Sequence, residues 1–387
     1  MLITPTFIIL SNHLCFLVIT MAYEEIRKAL ETDIFSNKKA LYPSHPSNTL
    51  INRKKEAKAL ISSLKPTIEN TKSQIILVSG PEGTGKTMTT TTILTRLKGV
   101  QILNIPCQIA NTIRRALVAM LHSLNESIIP YETEEMKKRV LRKIEASKRP
   151  LIIYLQDFEW TTKRDRANML SMLLLLPRPK TIIIETRHPG IIDRKALECQ
   201  EIRFLPYTDQ EIEQILKERS FEAFSPGALQ KNVISTCAKL SRGNAKKAIK
   251  LLKTAGEVAE AQNLRRVTPN HVQLAAEQLQ KSEILETLDK LPPQSKLVLH
   301  AILTLKRSGR NRLVTNNIYE SYQKLCEEKG FRILTRRGFN NHLANLLQFG
   351  LITLKPRPKG SPSRTRTIGI DLDPKLEELV YQRTQQA

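Results

Sequence analysis

The sequence predicts an α/β fold, a five-stranded parallel sheet covered by helices, followed by a purely helical segment and then a small helix-and-hairpin domain. Three observations predict it. Between residues 74 and 204, short apolar runs alternate with longer amphipathic stretches, the pattern of strands buried beneath helices. Within that region one apolar run leads straight into a glycine-rich loop and then a helix-forming stretch. Beyond Phe204 the strand signals stop, and helical periodicity holds from Asp209 to about Gln280.

The candidate strands, in order, are 75–78, 102–105, 151–155, 181–184 and 201–204. A helical lid is expected from Pro206. Leu291-Pro292-Pro293 then marks a turn that stops one helix and starts the next. The expected division is 1–20 as an upstream extension, 21–205 as the sheet domain, 206–282 as the helical domain and 283–387 as the C-terminal domain. At 387 residues, two or three domains are the ordinary expectation.

Composition narrows the function classes. The 61 Lys+Arg against 37 Asp+Glu leave a formal charge of +24, more than solubility requires, so a polyanion, nucleic acid first, is the expected partner. The five cysteines, Cys15, Cys107, Cys199, Cys237 and Cys326, show no CxxC or Cys/His ligand spacing, which points to reduced thiols in a cytoplasmic protein and argues against structural zinc. The apolar run 7–20 has no Lys or Arg before it and falls short of the roughly 20 residues a membrane span needs. No membrane partner is expected. Because Met21 follows this run and opens a polar, helix-like stretch, residues 1–20 read as an extension from a misassigned start.

Gly80-Pro81-Glu82-Gly83-Thr84-Gly85-Lys86-Thr87 matches GxxxxGK[ST] in full, follows the strand 75–78 and precedes a helix-forming stretch opened by Met88. The glycines let the backbone curl its N–H groups toward phosphate oxygens, and the helix N-terminus adds its positive dipole end. Pro81, Gly83, Thr84, Gly85, Lys86, Thr87 and Met88 are thus the expected cradle for ATP or ADP. Lys86 would neutralise the β- and γ-phosphates, and Thr87 would offer its hydroxyl to Mg2+.

Hydrolysis needs more. An apolar strand should end in an Asp that serves the metal, followed by a Glu that orients water. Here the strand 151–155 is followed by Gln156-Asp157-Phe158-Glu159. In one register Gln156 replaces the metal Asp and Asp157 sits at the Glu position with one methylene less reach. In the other, Asp157 is the metal ligand and polar Gln156 takes an apolar place. Asp157 and Glu159 are the catalytic candidates and Asp157 the metal candidate. The next strand ends in Glu185-Thr186-Arg187, where P-loop ATPases of the AAA+ type usually offer an Asn. Thr186 could serve, whereas Arg187 is unusual. Retained nucleotide binding with slow or absent turnover is expected.

Downstream, Phe204-Leu205-Pro206-Tyr207, Ile215-Leu216-Lys217-Glu218-Arg219 and Gly243-Asn244-Ala245-Lys246-Lys247-Ala248 form a spaced series. With the phosphate loop, Ile34-Phe35, Asn52-Arg53-Lys54-Lys55-Glu56 and Val267-Thr268-Pro269-Asn270-His271-Val272, this series resembles the archaeal origin-recognition and cell-division-control initiators, AAA+ proteins that mark replication origins. The resemblance implies that Tyr207 and Arg219 contact nucleotide near adenine and ribose. It also implies that Lys246 stands where the family carries a sensor Arg; Lys keeps the charge and loses the planar fork. Arg194 falls close to the family's arginine aimed at a neighbouring subunit's nucleotide, although the segment after it is about two residues short; a plain surface Arg is the other reading. Other initiator subunits and a replicative helicase are the implied partners.

The charge excess has a local centre. Residues 331–370 carry Arg332, Arg336, Arg337, Lys355, Arg357, Lys359, Arg364 and Arg366 with no Asp or Glu. Thr335 is a candidate N-cap, and Phe339, Leu343, Leu346 and Leu347 follow at helical spacing, which leaves Arg336, Arg337, Asn340 and Asn341 on or near the open face. Arg pairs with guanine and Asn with adenine in a major groove. The runs 351–354 and 365–370 read as strands of a basic wing whose Lys359, Arg364 and Arg366 would reach the minor groove or phosphates. The expected function is an ATP-binding replication initiator or paralogue acting on double-stranded origin DNA and associated with the nucleoid. A nucleotide-gated transcription regulator or mobile-element ATPase uses the same two modules, and a non-hydrolysing scaffold that binds protein through the wing is a third reading.

Overall fold

The computed structural model describes residues 34–42, 45, 52–126, 132–177, 179–310, 313–355 and 367–385. They fall into two compact units divided at 275/276.

In the first unit the apolar runs form β1 (Gln74–Ser79), β2 (Gln101–Pro106), β3 (Leu151–Gln156), β4 (Lys180–Thr186) and β5 (Gln200–Arg203), all parallel, in the order β2-β3-β4-β1-β5. The strands stand where the sequence places them. Only β5 is shifted, by one residue: Phe204 still donates its N–H to Ser79 O (2.7 Å), but the chain then leaves the sheet toward Pro206. Helices α1 (Lys54–Ile68) and α2 (Lys86–Arg96) cover one face, burying Leu60, Leu64 and Ile93 against Ile76, Val78, Tyr154 and Ile183. Helices α3 (Ile113–Ser123), α4 (Thr133–Ala146) and α5 (Lys163–Leu174) cover the other, packing Leu117, Met120, Val140 and Leu173 on Leu77, Ile153, Leu155 and Ile184. A sheet buried on both faces needs near-continuous apolar strands. A carboxylate inside it, such as Glu185 at 1% exposure, is therefore conspicuous.

The lid comprises α6 (Asp209–Ala223), opened by a Thr208/Glu211 capping box, α7 (Val233–Ser241), α8 (Ala245–Ala261), whose N-cap Asn244 accepts from Lys247 N, and α9 (Pro269–Lys290). Two features bear on the sequence division. Residues 34–42, assigned to the sheet domain, pack on the lid instead: Ser36 N donates to Ala223 O (2.9 Å) and the Phe35 and Phe224 rings lie 4.8 Å apart. The 282/283 division falls inside α9, because no helix-stopping residue precedes Leu291-Pro292. The 1–20 segment lies outside the described residues.

The second unit holds α10 (Pro293–Arg307), β6 (Leu313–Val314), α11 (Thr315–Lys329), α12 (Arg336–Gln348), β7 (Thr353–Lys355), β8 (Thr367–Gly369) and α13 (Pro374–Gln385). The strands pair antiparallel in the order β6-β8-β7, a winged helix. Two-residue β6 is too short to show alternation, so the sequence gives no sign of it. Leu351 and Ile352, expected within a strand, are buried in the core ahead of β7. Thr335 caps α12 by accepting from Gly338 N. Phe339 anchors that helix at 1% exposure, with Tyr319 and Tyr322 at 5.0 and 5.4 Å between ring centroids. Phe339→Ala should cost this unit about 3–5 kcal/mol, from lost transfer energy plus a cavity. Hydrogen exchange of the α11 and α12 amides measures it, and a loss under about 1 kcal/mol would show that the ring does not hold the helix.

Candidate nucleotide site and nucleic-acid interface

The loop 80–87 leaves β1 and delivers the chain into α2. Gly85 opens α2 with φ at +86°, a conformation that a side chain strains, and an added Cβ would collide with Tyr207 Oη. Lys86 is 5% exposed, and its ammonium donates to Gly80 O and Pro81 O at 2.8 Å each, curling beneath the loop. Thr84 Oγ1 also donates to Pro81 O (2.9 Å), so Pro81 and Thr84 shape the turn from behind. The loop borders a cavity of about 560 Å3, a size that suits a nucleotide. Lys86, Thr87, Met88, Asp157 and Glu185 line one end, and Tyr207, Ile215, Arg219, Lys246 and Ile249 line the lid side.

The electrostatics of the loop end are those of a site built for an anion and a cation together. Burial pulls the Lys86 ammonium below its usual range, opposed by Glu185 and Asp157. Burial pushes the Asp157 carboxyl up, and Glu159 adds to the rise. It pushes Glu185 up as well, against hydrogen bonds from Thr87 and Tyr154. Thr87 Oγ1 donates to Glu185 Oε1 (2.6 Å) and Tyr154 Oη to Glu185 Oε2. A phosphate chain would supply charge to Lys86, and Mg2+ would supply it to the carboxylates. The donor set of one hydroxyl and two carboxylates beside a phosphate site suits Mg2+, which takes few protein ligands plus phosphates.

The structure separates the other predicted residues. Asp157 follows β3 in the left-handed region, φ +49°, and accepts from Gln108 Nε2 (2.9 Å). Glu159 is tied to Arg187, accepting from its Nε (2.6 Å) and its backbone N (3.3 Å), and does not border the cavity. Arg194 pairs with Glu201 and also lies off the cavity. Arg219 flanks the cavity, yet its guanidinium, expected near adenine and ribose, donates to Ala40 O (2.7 Å), Tyr42 O (3.2 Å) and His45 O (2.9 Å). A buried guanidinium needs acceptors, and the segment folded over the lid supplies three. Lys246 reaches back from α8 to Glu82 in the loop (2.8 Å), and Glu82 also meets Arg187 (3.3 Å). The Lys246 hydrogen bond is the main reason the Glu82 carboxyl sits below its usual range.

Sequence reasoning placed Glu185 and Arg187 at the sensor end of the strand but gave them no role, and it gave none to Glu82 or to Arg53, which supports them. Arg53, 5% exposed, donates to Thr84 O (3.0 Å), Leu205 O (2.5 Å) and Glu56 Oε1 (2.8 Å), with its guanidinium 3.9 Å from the Tyr207 ring centroid. One side chain thus ties the phosphate loop to the start of the lid. Glu185 left a sequence signal, an acid closing an isoleucine-rich strand, and so did Arg187, out of place where an Asn is usual.

On the second unit, Arg336, Arg337, Asn340 and Asn341 are all exposed along α12, with Phe339, Leu343 and Leu346 buried beneath. Arg336 lies 4.7 Å over the Tyr319 ring and donates to Asn316 Oδ1 (2.6 Å). Lys359, Arg364 and Arg366 lie outside the described residues.

A five-stranded parallel sheet with a phosphate loop, a helical lid seated on that loop and a winged helix together define an AAA+ module joined to a winged-helix domain. Residues 69–188 match the AAA domain family, 213–277 the Cdc6 AAA+ ATPase-type lid domain and 286–378 the CDC6 C-terminal winged helix domain. The chain is 31% identical over 380 residues to the ORC1-type DNA replication protein of Pyrococcus abyssi, covering 91% of this chain and 90% of that one. It is 29% identical over 370 residues to ORC1-type DNA replication protein 1 of Sulfurisphaera tokodaii, covering 90% and 93%. The solved Aeropyrum pernix ORC1 protein in complex with DNA superposes with a TM-score of 0.79 at 25% identity, covering 90% of this chain and 97% of that one. The chain belongs to the archaeal Orc1/Cdc6-type DNA replication proteins. Among the described residues no helix is long and apolar enough to cross a membrane.

Arg53→Ala should lower stability by about 3 kcal/mol, because Glu56 and two carbonyls lose a buried partner. Thermal unfolding reads this, and an unchanged midpoint would remove Arg53 from its bracing role.

Proposed function

We propose that the chain is an ATP- or ADP-binding replication initiator or paralogue that grips double-stranded DNA through its winged helix and turns nucleotide over slowly. The observation that carries the nucleotide half is the cavity shared by the phosphate loop and the lid, with Lys86 buried at its end. In this reading the loop N–H groups and Lys86 hold phosphates, Thr87 and the neighbouring carboxylates serve Mg2+, Tyr207 and the flank of Arg219 border the base and sugar, and Lys246 exchanges Glu82 for a terminal phosphate. Mg2+, when bound, neutralises phosphate oxygens. Slow turnover follows from the acids that should prepare water: Gln156 carries no charge, Asp157 is short, and Glu159 is held by Arg187.

The DNA half rests on α12, whose exposed face carries Arg336, Arg337, Asn340 and Asn341, and on the basic stretch containing Lys359, Arg364 and Arg366. The Aeropyrum pernix ORC1 protein, solved with DNA, supports this reading. Arg194 at a neighbouring subunit's nucleotide, other initiator subunits, a replicative helicase as partner and a nucleoid location in the cytoplasm belong to the same proposal.

Two measurements test it. Lys86→Ala should abolish binding of a fluorescent ATP analogue, while wild-type turnover with DNA present stays well below the ~10 per second typical of enzymes; brisk hydrolysis would defeat the slow-turnover reading. Arg336→Ala with Arg337→Ala should weaken duplex binding by about tenfold at physiological salt and flatten its salt dependence by roughly two ions. Chromatin immunoprecipitation should then centre wild-type peaks on replication origins and lose them in the double variant. Peaks at promoters or element ends would favour a regulator instead.

A further inference from the structure

We propose that Glu185 on β4, held by Tyr154, is the carboxylate that serves the nucleotide-bound Mg2+ in this chain, replacing the acid that the end of β3 lacks. The inference rests on the nucleotide reading above and deepens it by moving the metal carboxylate from one strand to its neighbour.

The sheet order makes the move possible. β4 lies between β1 and β3, and Glu185 is the register partner of Val78, two residues before the loop begins. Val78, Ile183 and Tyr154 all belong to the core beneath α1 and α2, so Glu185, two residues beyond Ile183, emerges on the same face as the phosphate-loop helix. The hydrogen bond from Thr87 Oγ1 (2.6 Å) shows that it reaches that helix. A hydroxyl has one proton and two lone pairs. With its proton committed to Glu185, Thr87 can only accept from, or ligate, whatever occupies the cavity. That is the state a metal-ligating hydroxyl requires.

Glu185 itself is in no ion pair among the described residues. It is 1% exposed, and its hydrogen-bond partners are the hydroxyls of Thr87 and Tyr154. Lys86 is near enough to favour its ionised form but donates to Gly80 O and Pro81 O. Burying a carboxylate without a paired cation is costly, and a dication arriving at Thr87 would supply the direct pairing that Lys86 does not. Each carboxylate oxygen accepts one described hydrogen bond and retains further lone-pair capacity. Asp157 borders the cavity too, but it leaves β3 in the left-handed region, and its hydrogen bond goes to Gln108. Among the described residues no group of three or more His, Cys, Asp or Glu is arranged to hold a metal alone. The ion is therefore one shared with phosphates, as Mg2+ commonly is.

The test is the affinity of the full chain for a fluorescent ATP analogue with Mg2+ and with EDTA, in wild type, Glu185→Gln, Asp157→Asn and the double variant Glu185→Gln, Gln156→Asp. A parallel titration counts bound Mn2+ by electron paramagnetic resonance. In wild type, Mg2+ should tighten binding. Glu185→Gln should weaken the Mn2+ site about 10- to 100-fold and remove most of the Mg2+ advantage, with binding in EDTA unchanged within about threefold. Asp157→Asn should cost clearly less of the advantage than Glu185→Gln does, and Gln156→Asp should restore part of it on the Glu185→Gln background. If Glu185→Gln does not fold, Tyr154→Phe, which keeps the ring and removes the hydroxyl, should show an intermediate loss. Full Mg2+ dependence in Glu185→Gln, or its loss in Asp157→Asn alone, would overturn the proposal. Wild type that binds no nucleotide in either condition would overturn the nucleotide reading, and this inference with it.

Discussion

The pairing of β1 with β4 is the constraint on which the nucleotide site depends. Parallel strands cannot be joined by a tight turn, so the chain runs through β2 and β3 before β4 returns to lie beside β1. That return sets Ser79 opposite Thr186 and Val78 opposite Glu185, so residues more than a hundred positions apart share one register. In open sheets of this kind ligands gather at the carboxyl ends of strands, where neighbouring connections depart in opposite directions. The phosphate loop, Asp157 after β3 and the Glu185-Thr186-Arg187 run at the end of β4 are all such ends. Their chemistry is placed by backbone hydrogen bonds rather than by flexible loops.

The sheet also explains why its polar members are so few. Both faces are covered, so each inward position is either apolar or held by a partner. Tyr154 is the instructive case. Its ring fills the core beneath α2, while its hydroxyl meets Glu185. One side chain fills space and satisfies a buried acid, and burial with the adjacent carboxylate pushes its own ionisation well above the usual range. It therefore remains a neutral donor.

The layout of elements was legible in the sequence because it is written in periodicity. Strands 75–78, 102–105, 151–155 and 181–184 are isoleucine- and leucine-rich runs with no rival reading, and Thr335 before Phe339, Leu343 and Leu346 specifies α12 down to its cap. The phosphate loop is a contiguous motif and was equally open. What the sequence could not reveal are relations between distant residues. Arg53 matters because it joins Thr84 to Leu205, and Arg219 turned toward the carbonyls of Ala40, Tyr42 and His45. Neither fact is encoded at any fixed spacing. The two-residue β6 is too short to carry a period, and α9 runs unbroken across 282/283 because it has no residue there that stops a helix.

Gly83 occupies a position that the phosphate-loop motif leaves free, yet its φ is +72° and a methyl group added there would strike Asn244 Oδ1. Asn244 is the cap of α8, and the next residue, Ala245, donates its N–H to Gly83 O (3.0 Å). The bare glycine is thus a seat machined for the end of a lid helix, and its smallness serves that fit apart from any ligand. Sequence variation at residue 83 would act as a shim under α8. It would tilt the lid, so the resting aperture of the cavity hangs on the size of one residue within one short loop.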